Sequence, residues 1–466
     1  VLEQLDAPGG RAYVFRQDGF SFDAGPTIIT APFLLEDLWR LCHRRFSDDI
    51  ELRALHPFYR IRFHDGTWLD CCDNDRDMQA QIDRMAPGDF AGYQEFLRAS
   101  EAIFNVAFQQ LAHKPFETWN DMLRLVPQLI KLKSYKNIHA LVASYVQSPK
   151  LRFALSFHPL FVGGNPFTTT SIYGLIAFLE RRWGVHFAMG GTGSLVNGMV
   201  NLIHGQGGAI LYNTRVQTIS TVGRRATGVV LSSGEKLDCD VVVSNADSAV
   251  TYRDLLPDAS RRWTKAKLAK AQYSMSLFVW YFGTSKQFPD VLHHTILVGP
   301  RYRELLEDIF ERKVLAEDFS LYLHRPTATD PSLAPLGCDA FYVLSPVPHL
   351  QSQTDWHEIA EDYRRAIAKY LHETLLPGFE ESIVTSRIMT PLDFRDRLSS
   401  PHGAAFGLAP SLLQSAWFRP HNRSEDIENL FLVGAGTHPG AGVPGVLSSA
   451  RVLDTVVPDA KCFSRP

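Results

Sequence analysis

Three stretches of this chain, far apart in sequence, combine short apolar strands with closely spaced glycines. The first runs from Val1 to Thr27 and contains VLEQ, PGGR, AYVF and GFSFDAGPT. The second runs from about Gly190 to Asp247, opening on a GGTG turn and helix and closing on DVVVSNAD. The third is NLFLVGAGTHPGAGVPGVLSSARVLD, from Asn429 to Asp454. Between them, residues 33–189 are largely helical in pattern, aromatic and poor in turn signals. Residues 273–418 mix β-rich runs such as SLFVWYFG and AFYVLSPVP with helical ones such as WHEIAEDYRRAIAKYL. A chain of 466 residues is too long for one ordinary core. The alternation predicts one α/β domain assembled from residues 1–32, 190–272 and 419–466, with a second region of α+β character inserted twice.

The first stretch has the pattern of a dinucleotide site. In a Rossmann-type βαβ unit the second strand ends in an acid that binds the adenosine ribose, and Glu3 stands at the end of such a strand. Gly9 and Gly10 let the backbone approach a pyrophosphate, and the Arg11 guanidinium complements its charge. In the last stretch a short strand runs into Gly434-Ala435-Gly436, again permitting backbone contact with a ligand. Pro444, Gly445 and Val446 then open a helix whose free N–H groups suit a partial negative charge, such as the N1–C2 carbonyl edge of a reduced flavin. The backbone near Val216 is a candidate adenine contact, with plain packing the alternative.

Taken in order, PGGR, FDAGPT, SFHPLFVGGNPF, GGTGSLVNGM, VVSNAD and VGAGTHPGAGVPGV resemble the bacterial and fungal phytoene desaturases, within the flavin amine oxidase superfamily. The resemblance spans the chain from Val1 to the C-terminal helix. It implies FAD as cofactor, with Glu3, Gly9, Gly10, Arg11, Gly434, Gly436 and Val446 around it. It also implies desaturation of phytoene and related apolar polyenes, with hydride transfer to flavin N5 and loss of a proton. The superfamily's usual Gly-Asp at the last strand is Gly434-Ala435 here, which leaves phosphate and ribityl contacts to backbone N–H groups. The phosphate-binding glycine loop belongs about 20 residues before the ribose acid, ahead of Val1. These residues are therefore expected to lack the first strand and loop and to bind FAD poorly.

On that resemblance the three-part domain is a Rossmann-type FAD-binding domain. Residues 33–189 are a helical, membrane-facing substrate region, and 273–418 a mixed substrate domain. A polyene dissolves only in a bilayer, so a peripheral protein on the cytoplasmic membrane face is expected, passing electrons to quinone or oxygen. Trp119, Met122, Leu123, Val126 and Ile130 form an apolar stripe with Lys131, Lys133 and Lys136 beyond it; a lipid-surface helix and a core-packed helix both produce this pattern. Asp121 and Arg124 share a face of that helix. They are read either as a substrate-facing pair, Asp121 acting as base or cation stabiliser, or as a solvated surface pair. His438 is read as capping its loop.

Other flavin enzymes remain open as alternatives: a diapophytoene desaturase, a carotenoid isomerase or ketolase, or an amine oxidase. So does a prenyl-binding protein like the GDP-dissociation inhibitors. A net charge of −3 leaves no footprint for nucleic acid. No HExxH, GxSxG or zinc-ligand spacing occurs, so no metal is expected, and the six scattered cysteines read as reduced thiols.

Overall fold

The run SLFVWYFGT forms the strand Ser276–Thr284, and every residue in it is buried. Alternation along the strand explains how. Phe278, Trp280 and Phe282 enter a core closed by Trp356, Tyr363 and Ile367 of the helix Trp356–Thr374. Leu277, Val279 and Tyr281 enter a second core with Phe15, Phe20 and Phe22. A strand covered on both faces needs no polar alternation, which is why it reads as a continuous apolar run. The computed structural model describes residues 1–256, 262–459 and 462. Positions 257–261, 460, 461 and 463–466, which the sequence reading gives to the FAD-binding segments, lie outside the described residues.

Ser276–Thr284 belongs to a seven-stranded mixed sheet. Its order is Ile383–Met389, Ser276–Thr284, Asp339–Val347, Leu321–His324, His294–Val298, Tyr59–Phe63 and Trp68–Cys71. The last two strands correct the sequence reading, because they come from the stretch 33–189 expected to be largely helical. YRIRF alternates buried and half-buried residues at period two, and it pairs in parallel with His294–Val298. The hairpin Val14–Gln17 and Phe20–Asp23 packs on the sheet beside Gly283, where a Cβ would come within 2.5 Å of the Phe20 ring.

The three glycine-bearing stretches meet in the fold. Val242–Ser244 pairs in parallel with Leu430–Leu432, and Leu2 bridges Leu211 in parallel. Glu3 N–H donates to Leu211 O at 2.9 Å, and Thr214 N–H returns to Glu3 O at 2.8 Å. A three-stranded antiparallel sheet of Val216–Val222, Arg225–Leu231 and Lys236–Asp238 lies alongside. Two helices, Thr192–Gly205 and Val443–Val456, start at this junction. Among the described residues no helix is long and apolar enough to cross a membrane.

Candidate active site

A cavity of about 2020 Å³ runs between the seven-stranded sheet and the junction of the three stretches. Ordinary single-ligand pockets hold about 300–1,000 Å³, so this one has room for two long ligands. Glu3, Gly9, Gly10, Arg11, Val216, Gly434, Gly436 and Val446 all line it. Asp121 and Arg124 do not.

Each wall residue is placed by a local cause. Gly9 and Gly10 both have positive φ, 116° and 54°, and a Cβ on Gly10 would meet nothing within 4 Å. A Cβ on Gly9 would instead come within 2.8 Å of Ala12 O, so open space of the kind a diphosphate cradle requires lies at Gly10. Arg11 donates from Nε to Ala405 O at 2.9 Å and from one terminal nitrogen to Ser400 Oγ at 2.7 Å. Its guanidinium is thereby fixed while its other terminal nitrogen remains available to an anion. Burial lowers the Arg11 pKa, and the charge of Asp247 opposes that shift. At the helix Val443–Val456, Val446 N–H returns to Gly442 O at 2.9 Å. The donors left for a ligand's negative edge are thus those of Val443 and Gly445, since proline has none. This donor set, with no carboxylate at position 435, fits a flavin dinucleotide bound by backbone and guanidinium.

Two glycines serve the chain itself as well as the cavity. A Cβ on Gly434 would come within 2.3 Å of Asn245 Oδ1, and one on Gly436 within 2.8 Å of Ser248 N. The sequence pattern locates these positions, but the neighbour that excludes a side chain is protein. His438, also on the wall, has Nε2 3.1 Å from Leu111 O, and burial pushes it down to about 4. It therefore holds its loop as a neutral ring, the capping role read from sequence.

Asp23 is a wall residue that sequence reasoning passed over, although FDAGPT was singled out. It accepts Thr192 N–H at 2.9 Å from the first turn of Thr192–Gly205, while its Oδ2 has no hydrogen-bond partner. A Cβ on Gly191 would reach within 2.7 Å of its Oδ1. The acid before a small residue and glycine was the available signal. Burial pushes the carboxyl up to about 6 from 3.8, against the opposing Thr192 and Gly193 amides. Between about pH 4 and pH 6 the folded protein holds a proton that the unfolded chain releases, so stability falls as pH rises through that window. Two pKa units correspond to about 3 kcal/mol. Urea unfolding of the parent and Asp23→Asn proteins from pH 4 to 7 is expected to show this fall only in the parent. Parallel pH curves would refute the assignment.

Asp121 is committed elsewhere. Thr118 N–H and Oγ1–H both donate to its Oδ2, at 2.9 and 2.8 Å, and Asp121 N–H returns to Thr118 Oγ1, a capping box at the start of Trp119–Lys131. Those bonds hold its carboxyl below the usual range, with Arg124 contributing less. The helix instead turns Met122, Leu125 and Leu129 to the cavity, while Trp119, Leu123, Val126 and Ile130 stay exposed. Met122 thus leaves the predicted outer stripe, and the rest of that stripe faces outward.

Comparison with known proteins agrees with this geometry. Residues 1–452 match the family described as flavin containing amine oxidoreductase. The chain is 50% identical over 461 residues to a phytoene desaturase (lycopene-forming) of Pseudescherichia vulneris, covering 98% of this chain and 93% of that protein. It is 48% identical over 466 residues to a phytoene desaturase (neurosporene-forming) of Cereibacter sphaeroides, covering 99% and 90%. Its fold is similar to that of a putrescine oxidase triple mutant, with a TM-score of 0.63 at 12% identity over 98% of this chain and 92% of the other. An oxidoreductase from Methanosarcina mazei gives a TM-score of 0.61 at 16% identity over 98% and 93%.

Proposed function

This chain belongs to the flavin-containing amine oxidoreductases, and on that premise we propose that it is an FAD-dependent phytoene desaturase working from a membrane surface. The observation that supports this reading most is the continuity of one cavity. Its dinucleotide-type wall of Gly9, Gly10, Arg11 and Gly434 opens into an arm lined by Met122, Leu129, Phe157, Phe161 and Ile176. Those apolar side chains suit a long hydrocarbon.

Glu3 would hold the ribose, Gly9 to Arg11 the diphosphate and Val216 the adenine, and the amides of Val443 and Gly445 would be the donors for a negative edge of the flavin. Bound FAD supplies the hydride acceptor for the desaturation. The chain's own part is to hold a C–H bond of phytoene in line, exclude water and receive the proton. The product is lycopene or a less desaturated carotene, and the electrons pass on to quinone or oxygen.

The exposed apolar side of Trp119–Lys131 lies in the membrane, so that the polyene enters between lipid and the inner side of the same helix. Cells that make phytoene and also produce this enzyme as holoprotein are expected to accumulate coloured carotenes, read from extracted pigments. Unchanged phytoene beside flavin-loaded protein would overturn the proposal.

A further inference from the structure

The register of the seven-stranded sheet places a row of polar rings on its cavity face. Tyr281 stands opposite Tyr342, Tyr342 opposite His324, and His324 opposite His294. Tyr322, two residues before His324, shares that face. Hydrogen bonds join the row to the cavity wall. Thr27 Oγ1 lies 3.0 Å from Tyr322 OH and 2.9 Å from Tyr342 OH, and all three residues line the cavity. Behind them, Tyr322 OH lies 2.7 Å from His294 Nδ1. His324 Nε2 lies 3.1 Å from His293 Nε2, whose Nδ1 lies 2.6 Å from Thr329 Oγ1. The strand pair His294–Val298 and Leu321–His324 thus carries a buried base directly behind a cavity phenol.

We propose that Tyr322, backed by His294, takes up the proton released when a double bond is formed. The inference rests on the desaturase reading. In that reaction one carbon loses a hydride with its electron pair to the oxidised flavin. The adjacent carbon then loses a proton, and the electron pair of that C–H bond becomes the second bond of the alkene. The proton goes to the Tyr322 oxygen while the phenol's own proton passes to His294 Nδ1, so charge moves from the polyene to an imidazolium. Burial, with the neighbouring His293 and His324, holds His294 well below its usual range, so the ring is neutral and free to accept. A proton beside a carbocation is strongly acidic, and even a weak base receives it.

A bound cation does not explain the cluster equally well. His293, His294 and His324 bring ring nitrogens within 4.8 Å of one another. His324 Nε2 and His293 Nε2 are engaged with each other, His293 Nδ1 with Thr329 and His294 Nδ1 with Tyr322, and the charge of Arg325 acts on His293.

The test uses holoenzyme on phytoene-loaded liposomes without oxygen, following flavin bleaching in a single turnover. Tyr322→Phe and His294→Gln are each expected to slow double-bond formation at least tenfold. The double variant should be no slower than either single one, because the two groups act in series. Retained flavin and retained phytoene should match the parent. Apart from turnover, ¹⁵N spectra of histidine-labelled protein should show one hydrogen-bonded Nδ1 that shifts in Tyr322→Phe. Tyr322→Phe preserves ring volume, so it carries the test if His294→Gln does not fold. Turnover within twofold of the parent in Tyr322→Phe would overturn the relay, as would slowing confined to Asp23→Asn or a stoichiometric metal in the purified protein. An unmodified holoenzyme whose flavin phytoene does not bleach would overturn the desaturase reading itself, and the relay with it.

Discussion

An Asp339→Ala protein is expected to lose about 3–5 kcal/mol of stability, the usual cost of stranding one member of a buried ion pair. Asp339 opens the strand Asp339–Val347 and is fully buried. Its carboxylate accepts Arg325 Nε at 2.8 Å, Thr327 Oγ1 at 2.7 Å and Phe288 N–H at 2.7 Å. Arg325, also buried, donates in addition to Val291 O at 2.7 Å. Removing the carboxylate leaves a guanidinium without its counter-charge and an amide and a hydroxyl without an acceptor. Urea unfolding measures the loss, and a change below 1 kcal/mol would refute the argument. The double variant Arg325→Met/Asp339→Leu should recover much of the difference, because the desolvation of both charges disappears together. Asp339 pairs with Thr284, and Arg325 N–H donates to His293 O at 2.9 Å, so the ion pair adjoins the His293–His294 segment.

A Trp119→Glu/Ile130→Glu double variant is expected to lose at least about tenfold in partition onto liposomes. The helix Trp119–Lys131 buries none of its residues, and Ile130 is 61% exposed. Trp119 rests edge-on against Trp417, 4.8 Å between ring centres, which extends the apolar surface beyond the helix. A fully exposed large apolar side chain moved from water into lipid contributes about 1.5–3 kcal/mol, so two that are about half exposed together contribute about 1.5–3 kcal/mol. That is at least about tenfold in a binding constant. Flotation of flavin-loaded protein with anionic liposomes reads the effect. A double variant that floats like the parent, with its flavin and unfolding midpoint unchanged, would sink the membrane anchor.

Much of the cavity wall was legible because close approach to a backbone is marked by residue type. Glycines at 9, 10, 434 and 436, an acid at 3 and a helix start near 445 are all visible as residue types. Other site residues were not legible, for different reasons. Asp121 reads as a candidate base or cation stabiliser, or as a surface group, because helical spacing shows which residues share a face, not what the carboxylate is bonded to; here Thr118 is its partner. Tyr59–Phe63 was hidden in a stretch read by its helical neighbours. Tyr322 and His294 carry no motif, since each is an ordinary strand residue until pairing sets them side by side.

By itself, the sequence determined where the backbone must be approached closely and which of its runs must be buried. Steric freedom at glycine and apolar alternation are local properties, carried by neighbouring residues. Only the tertiary structure decided how far Val446, rather than Val443 and Gly445, could serve the ligand, because a helix consumes its own amides after the first turn. It alone joined the glycine wall and the apolar arm into one cavity. It also put a phenol from one strand on an imidazole from another, since strand register is a relation between distant segments that neither contains.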